Sequence, residues 1–184
     1  MENIRELKKF WSKKRVLITG HTGFKGSWLR IILTYLNSTI DGYSLKPKKN
    51  SLFNKSTIFK KLKSNTYSDI NNLTKLKKKI KDCKPEIIFH LAAQPLVIDS
   101  YKDPIKTLNT NIMGTANLLE SIRNIKSIKS VVIITTDKVY KIKKNNKAYR
   151  ELDQLGGFDP YSASKVGTEI VVESYIKSFF KNSI

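Results

Sequence analysis

The sequence is short of cysteine, of acidic residues and of long apolar runs. Its 184 residues include one cysteine, Cys83, so an internal disulfide framework is excluded and a reducing compartment is expected. No apolar run approaches the roughly 18 residues that a membrane-spanning helix needs. The charged segment Met1–Lys14 also lacks the apolar core of a secretory signal. We therefore expect a soluble, cytoplasmic protein with no membrane partner.

The shortage of acidic residues leaves a strong positive charge. Thirty-five lysines and arginines face 15 acidic residues, which gives a formal net charge of +20. Only five of the basic residues are arginine, although arginine pairs best with bases and phosphates. The lysines accompany abundant isoleucine and asparagine, which indicates a general compositional bias. We expect a solvated lysine surface and no nucleic-acid partner; the alternative is a basic module with salt-sensitive binding to DNA or membrane.

The apolar residues that are present suffice for a folded core, since 40% of the chain is hydrophobic. Short apolar runs predict strands at 15–19, 38–45, 65–70, 86–91 and 129–135. Helical patterns follow residue 26 and occupy 57–65, 71–81, 103–125 and 160 to about 181. Several strands are continuously apolar, which is typical of a parallel sheet covered on both faces. We therefore predict an α/β fold with a doubly wound parallel sheet, comprising an extension over 1–14 and one domain over 15–184.

Glycine is also scarce, yet three of the eight glycines lie in one short segment between the first strand and the first helix. The segment is Gly20-His21-Thr22-Gly23-Phe24-Lys25-Gly26. Dinucleotide-binding proteins use glycine here for a tight turn, for close approach to a pyrophosphate and for helix–sheet packing. The spacing differs from the commoner G-x-G-x-x-G, so a plain glycine turn is the alternative. We predict that the whole segment binds a dinucleotide.

The second strand leaves the choice between NAD and NADP open. An acid that binds the ribose is expected about 20 residues after the glycines. Asp41 comes early for this role, the strand end carries Ser44, and nearby Lys46 and Lys48 would tolerate a 2′-phosphate. Asp69 has two open interpretations, an adenine contact or a cap on the helix that follows.

Two tyrosines are followed four residues later by lysine: Tyr140 by Lys144, and Tyr161 by Lys165. Chance alone gives about 1.3 such pairs in so lysine-rich a chain, so the spacing does not identify a site by itself. Tyr161 follows Pro160 at a helix start, where residues i and i+4 share a face and an ammonium stabilises a phenolate. Tyr140 instead enters a lysine-rich loop at 141–147. We favour the second pair as catalytic; the alternative is that Tyr161 is merely a buried tyrosine and Lys165 a surface lysine.

These motifs together resemble the extended short-chain dehydrogenase/reductases from about Phe10 onward. The shared motifs are Gly20-x-x-Gly23-x-x-Gly26, His90-Leu-Ala-Ala-Gln94, Asn111-x-x-Gly114-Thr115 and Tyr161-x-x-x-Lys165. Longer blocks narrow the resemblance to the CDP-glucose 4,6-dehydratases. These blocks are Gly20–Trp28, Ala92–Val97, Thr136–Lys138 and Gly156–Tyr161.

The resemblance implies NAD as the cofactor, no metal, and CDP-glucose as the nucleotide-sugar substrate in deoxysugar and O-antigen biosynthesis. Besides the glycine segment, the implied cofactor contacts are Asp69, Ile70, Leu91, Ala92, Ala93, Asn111, Thr135, Tyr161 and Lys165. The implied substrate contacts are Gln94, Ser100, Tyr101 and Thr136. The implied catalytic residues are Thr136, Asp137, Lys138, Tyr161 and Lys165.

The implied reaction assigns a role to each catalytic residue. Tyr161, with Lys165, deprotonates the sugar C4 hydroxyl as hydride leaves C4, and Thr136 hydrogen-bonds that oxygen. Lys138 then removes the C5 proton and Asp137 protonates the departing C6 hydroxyl. Epimerases of the superfamily have small residues where this acid–base couple stands. Without the resemblance, a solvated surface pair explains Asp137 and Lys138 equally well.

Some features depart from the family. Ile98 stands where arginine usually follows Pro-Leu-Val, and 141–147 is unusually basic. Family members need further strands and a C-terminal substrate domain, so we expect a chain truncated before them, with an open apolar sheet edge, weak NAD binding and poor turnover. The alternatives are another nucleotide-sugar epimerase or reductase, or an inactive cofactor-binding fragment.

A homodimer is also implied, held by a four-helix bundle from the helices at 103–125 and 160–181. An apolar stripe on the second helix is compatible with this bundle and equally with core packing. The stripe comprises Val171, Val172, Tyr175 and Phe179.

Overall fold

The computed structural model describes residues 2–56, 62–143 and 148–180. Its helices are α1 (Glu2–Trp11), α2 (Phe24–Tyr35), α3 (Leu52–Lys55), α4 (Leu73–Cys83), α5 (Val97–Lys102), α6 (Pro104–Leu108), α7 (Gly114–Ile122) and α8 (Pro160–Tyr175). Its strands are β1 (Arg15–Thr19), β2 (Thr39–Ser44), β3 (Ser64–Tyr67), β4 (Ile87–His90) and β5 (Ser130–Ile133).

The five strands form one parallel sheet in the order β3-β2-β1-β4-β5. The chain winds outward from β1 in both directions, so the strand order reverses there. At the end of β1, Thr19 lies between Tyr43 of β2 and His90 of β4. The predicted doubly wound parallel sheet is confirmed as a Rossmann-like sheet. Ligands of such sheets bind beyond the carboxyl ends of the strands, at this switch point.

The described residues divide into two compact units, one drawn from 1–92 with 124–134 and the other from 93–123 with 135–184. The first unit contains the whole sheet and helices α1 to α4. Its apolar core includes Val16, Ile18, Leu33 and Ile40, and Trp11 of α1 packs against it. The segment expected to be an extension thus contains a helix that belongs to the first unit. The second unit contains α5 to α8.

Most predicted elements are confirmed with shifted ends, but the helix expected over 103–125 is divided. Between α6 and α7, residues Asn109–Met113 form a wider turn of π type. The carbonyl of Asn111 there accepts hydrogen bonds from the hydroxyls of Thr115 (2.8 Å) and Thr168 (3.0 Å). These hydroxyls compete with the backbone amide, which accounts for the wider turn.

Other differences are smaller. Helices α3 and α5 were not predicted, and α8 passes into a π-type turn at Ile176–Phe180. The helix expected over 57–65 and the loop over 141–147 lie partly outside the described residues, while Ser64 and Asn65 belong to β3.

Strand β5 forms one edge of the sheet, and Val132 on it is 38% exposed. No helix in the described parts of the chain is long and apolar enough to cross a membrane.

Candidate functional site

The glycine segment of the first unit forms a turn with no room for side chains at two positions. Gly20 has φ +74°, and a Cβ there would lie 2.6 Å from the backbone nitrogen of Ala92. A Cβ on Gly26 would lie 2.3 Å from the carbonyl oxygen of Gly20. Gly23 is less restricted, since its Cβ would stay 3.3 Å from that oxygen. Glycine at these two positions therefore lets the turn pack closely against the segment after β4 and lets α2 begin close to β1, as in a dinucleotide-binding turn.

A polar pair joins the carboxyl ends of β1 and β4 beside this turn. The hydroxyl of Thr19 lies 2.7 Å from Nδ1 of the buried His90 and accepts a 3.3 Å hydrogen bond from the backbone N–H of Ala92. Leu91 also donates its N–H to the carbonyl of Thr19. These bonds fix the strand ends where Leu91 and Ala92 were predicted to meet the cofactor. Sequence reasoning missed Thr19, whose only signal was a polar residue closing an apolar strand.

The other residues of the segment divide into interior and exposed side chains. The hydroxyl of Thr22 lies 2.7 Å from that of Ser44 and donates to the carbonyl of Leu45 at 2.9 Å, which ties the turn to the end of β2. Phe24 is 73% exposed and Lys25 is exposed. The end of β2 therefore carries the hydroxyl of Ser44 where many dinucleotide-binding sheets carry an acid.

His21, predicted to bind the cofactor, has its side chain in the interior of the first unit. The imidazole is fully buried and lies against Gly42, where a Cβ would come within 2.6 Å of Nε2. The rings of Phe53 and Tyr67 have centroids 5.4 and 6.5 Å away. Burial lowers the pKa of His21 to about 4, although the backbone of Tyr43 and the side chain of Asn65 act in the opposite direction. Only the backbone of His21 therefore remains to face a ligand.

The buried imidazole makes stability depend on pH. In the unfolded chain the pKa of His21 returns to about 6.5, so between pH 4 and 6.5 the unfolded state binds the extra proton. This contribution to stability is present above pH 6.5 and is lost as the pH falls toward 4, by up to about 3 kcal/mol. Urea unfolding at several pH values should show this slope in the wild type and a shallower one in His21→Gln. Equal slopes would contradict the assignment.

The structure limits the roles open to the two acids that were considered for the cofactor, Asp41 and Asp69. Asp41 is 2% exposed and its carboxylate lies 3.1 Å from the ammonium of the buried Lys79, so it is an interior residue. The cap of α4 is Asn72, whose side chain accepts the N–H of Lys75, and not Asp69. The exposed carboxylate of Asp69 accepts the N–H of Asn71 at 2.8 Å. The capping interpretation of Asp69 is thus wrong, and an adenine contact stays a prediction.

In the second unit, Asn111 is the centre of a buried polar network. Its side-chain oxygen accepts the N–H of Gln94 at 2.8 Å, and its amide donates to the carbonyl of Gln94 (3.1 Å) and to the hydroxyl of Ser164 (2.8 Å). Thr168 donates to the carbonyl of Asn111, as described above. Asn111 is 1% exposed. Because its side chain bonds to both Gln94 and Ser164, it links α8 to the segment that follows β4. Sequence reasoning missed Ser164 and Thr168, which stand four residues apart on α8.

The predicted substrate contacts differ in accessibility. The side chain of Gln94 bonds to the backbone of Leu96 and to the hydroxyl of Thr107 at 3.0 Å. Ser100 is fully buried and donates to the carbonyl of Val97 at 2.6 Å. Tyr101 is 67% exposed, which makes it the most accessible member of this set, whereas Gln94 and Thr136 are half-buried.

Tyr161 and Lys165 both lie in α8, one turn apart, as predicted from Pro160 at the helix start. Tyr161 is half-buried and Lys165 is buried. The cap of α8 is Asp159, whose carboxylate accepts the N–H and hydroxyl of Ser162 at 3.0 and 2.5 Å. Burial raises the pKa of Asp159, but these bonds, with a smaller contribution from the positive charge of Lys138, lower it overall.

The competing tyrosine is not in a helix. Tyr140 has extended backbone and stacks on Tyr149 with ring centroids 5.1 Å apart, while Lys144 lies outside the described residues. Helix geometry at Tyr161 and its absence at Tyr140 agree with the preference for the second pair.

The segment Thr135–Lys138 lies beside α8 in the same unit. The hydroxyl of Thr136 donates to the carboxylate of Asp137 at 3.1 Å and accepts the N–H of Lys138 at 3.4 Å. Asp137 and Lys138 are exposed, and Thr135 donates to Glu169 of α8 at 2.5 Å. The arrangement offers a hydroxyl, a carboxyl and an amine on one short turn.

Known proteins match nearly the whole chain. CDP-glucose 4,6-dehydratase of Salmonella typhimurium is 47% identical over 174 residues, 94% of this chain and 48% of that protein. UDP-glucuronic acid 4-epimerase of Bacillus cereus, solved with UDP-glucuronic acid and NAD, is 30% identical with a TM-score of 0.76, over 90% of this chain and 53% of that one. DesIV of Streptomyces venezuelae, a dTDP-glucose 4,6-dehydratase, shares the fold with a TM-score of 0.78 at 24% identity, over 90% and 52%.

These matches confirm the resemblance to the CDP-glucose 4,6-dehydratases. The chain spans about half the length of the curated relatives it matches. The sequence model described as GDP-mannose 4,6 dehydratase matches residues 17–181. The chain therefore belongs to the GDP-mannose 4,6 dehydratase family.

Proposed function

We propose that the chain carries the NAD-binding and catalytic residues of an enzyme that converts CDP-glucose to CDP-4-keto-6-deoxyglucose. The observation that carries this proposal is the 47% identity to the Salmonella CDP-glucose 4,6-dehydratase over 94% of the chain. The product class is a precursor of deoxysugars, so O-antigen or related surface polysaccharide biosynthesis is the proposed role. The one cysteine, Cys83, fits a reducing compartment such as the cytoplasm.

The first unit fits a dinucleotide. The tight turn, in which Cβ atoms at Gly20 and Gly26 would collide with backbone, supports a pyrophosphate site where α2 begins. Asp69, which has an exposed carboxylate, is proposed to contact the adenine. Ile70, Leu91 and Ala92 are proposed as further cofactor contacts. When bound, NAD supplies a hydride acceptor that takes hydride from sugar C4 and returns it to C6. Hydroxyls at the end of β2 leave a 2′-phosphate tolerable, so the choice of NAD rests on the relatives.

The second unit supplies the proton transfers. Tyr161 is proposed to take the proton of the C4 hydroxyl, with the ammonium of Lys165 one helix turn away stabilising the phenolate. Thr136 donates a hydrogen bond to the 4-keto oxygen, which acidifies the C5 proton. Lys138 then takes that proton, and Asp137 gives one to the leaving C6 hydroxyl. This step requires a neutral Lys138 and a protonated Asp137. The sugar loses a proton from C5 and a hydroxyl from C6, which together amount to one water.

Substrate contacts and assembly complete the proposal. Tyr101 is exposed and suits a sugar-nucleotide contact, whereas Gln94, Ser100 and Asn111 act through the structure that they hold together. A homodimer through a four-helix bundle is supported by exposed apolar side chains on the helices of the second unit, namely Ile105, Met113, Ile170 and Phe179.

A hybrid protein tests the proposed function. It consists of this chain joined to the part of the Salmonella enzyme that the chain does not cover, referred to below as the hybrid. We expect the hybrid to convert CDP-glucose to a 4-keto-6-deoxy product that has lost one water, detected by mass spectrometry. The Salmonella enzyme is the positive control. A product that keeps the C6 oxygen would instead support an epimerase.

A further inference from the structure

A carboxylate outside the predicted catalytic set holds the segment that contains three of those residues. Glu169 lies on α8, and its Oε1 accepts the hydroxyl of Thr135 at 2.5 Å. Thr135 immediately precedes Thr136, Asp137 and Lys138. The two residues joined by this bond are 34 positions apart in the sequence, so the bond does not arise from local helix geometry. Both side chains are half-buried, which shields the bond partly from water.

The position of Glu169 along α8 relates it to the other catalytic pair. Tyr161, Lys165 and Glu169 follow one another at intervals of four residues, so they lie along one face of the helix. The first residue of the segment Thr135–Lys138 is hydrogen-bonded to Glu169, and the short turn Asp137–Val139 packs against the same helix that carries Tyr161.

We propose that Glu169 is a positioning residue that aligns the Thr136–Lys138 turn with the Tyr161–Lys165 face of α8. Glu169 does not take part in proton transfer; it holds the side-chain hydroxyl of Thr135 and so restrains the residue that precedes the turn. A charge-assisted hydrogen bond of this kind is short and directional, and a displacement of about 1 Å at reacting groups can slow an enzyme by about a hundredfold. This inference rests on the proposed function, because it assigns Glu169 a role in that reaction.

The first test uses amide hydrogen exchange in the 184-residue chain. The N–H groups of Val139 and Tyr140 bond to the carbonyls of Thr136 and Asp137 at 3.3 Å, so their protection reports on this turn. Glu169→Ala and Thr135→Val should each speed exchange at both amides by about tenfold or more. Glu173→Ala is the matched control, since that exposed carboxylate pairs with Lys177 on the same helix. Unchanged protection in both variants would overturn the proposal.

The second test uses turnover of CDP-glucose by the hybrid. Glu169→Ala should lower kcat by about ten- to a hundredfold with KM changed less than about threefold. Glu169→Gln keeps an acceptor oxygen and should recover most of that loss. The double variant Thr135→Val/Glu169→Ala should be no slower than the slower single variant, because both remove one interaction. Losses that multiply, or a normal kcat despite faster exchange, would overturn the positioning role.

These readouts separate the proposal from the proposed function. A wild-type hybrid that makes a different product refutes the dehydratase assignment, whereas hydrogen exchange still reports whether Glu169 holds the turn. Faster exchange with a kcat defect supports the proposal.

Discussion

Replacement of Tyr161 by phenylalanine in the hybrid should lower kcat for CDP-glucose by about 10²- to 10⁴-fold. Phenylalanine keeps the half-buried ring and removes only the oxygen proposed to take the C4 hydroxyl proton. The free energy of unfolding should change little, because the hydrogen bond described for Tyr161 is accepted by its backbone carbonyl and not made by its hydroxyl. The measurement is initial rate against CDP-glucose concentration.

Tyr140→Phe is the matched control for this variant. Tyr140 begins the other Tyr-x-x-x-Lys pattern, but it has extended backbone and stacks on Tyr149, and Lys144 lies outside the described residues. Its loss should change kcat by less than about threefold. A larger defect in Tyr140→Phe than in Tyr161→Phe would show that the helix context selected the wrong tyrosine.

Replacement of Lys79 by methionine should cost about 3–5 kcal/mol of unfolding free energy. The ammonium of Lys79 is 6% exposed and lies 3.1 Å from the carboxylate of Asp41, whose side chain is 3% exposed. The hydroxyl of Ser64, an exposed residue of β3, bonds to both side chains. Removing Lys79 leaves a carboxylate buried without its counter-charge, which explains the large loss. Urea unfolding monitored by circular dichroism measures it.

Two comparisons isolate the buried charge. Lys78→Met changes the adjacent lysine, which is 78% exposed and pairs with Asp82 on the surface, so it should cost less than about 1 kcal/mol. The double variant Asp41→Leu/Lys79→Met should recover most of the loss, because paired charges can be exchanged for apolar groups. Equal effects of Lys78→Met and Lys79→Met would contradict the assigned burial.

Local and periodic features of the fold were predictable from sequence. The apolar runs predicted β1 and β4, and the glycine spacing predicted the tight turn in which side chains at positions 20 and 26 would collide with backbone. Pro160 located the start of α8, so Tyr161 and Lys165 were placed on one helix. Each of these features depends on neighbours within a few residues, which is why a single sequence reveals them.

Contacts between distant residues were not predictable. Asp41 meets Lys79 across 38 residues, and His21 fills the space over Gly42 of a neighbouring strand. Both looked like surface or ligand residues until the fold brought their partners together. The bonds from the side chain of Asn111 to Gln94 and Ser164 were likewise not foreseen, while its cofactor contact stays a prediction. Polar residues can serve a ligand or the interior, and only the packed structure distinguishes these uses.

The most direct test of the account is the fate of deuterium in CDP-glucose labelled at sugar C4. With the hybrid and NAD, we predict a 4-keto-6-deoxy product that has lost one water and carries the deuterium at C6. Deuterium retained at C4 in a product that keeps its C6 oxygen would contradict the account.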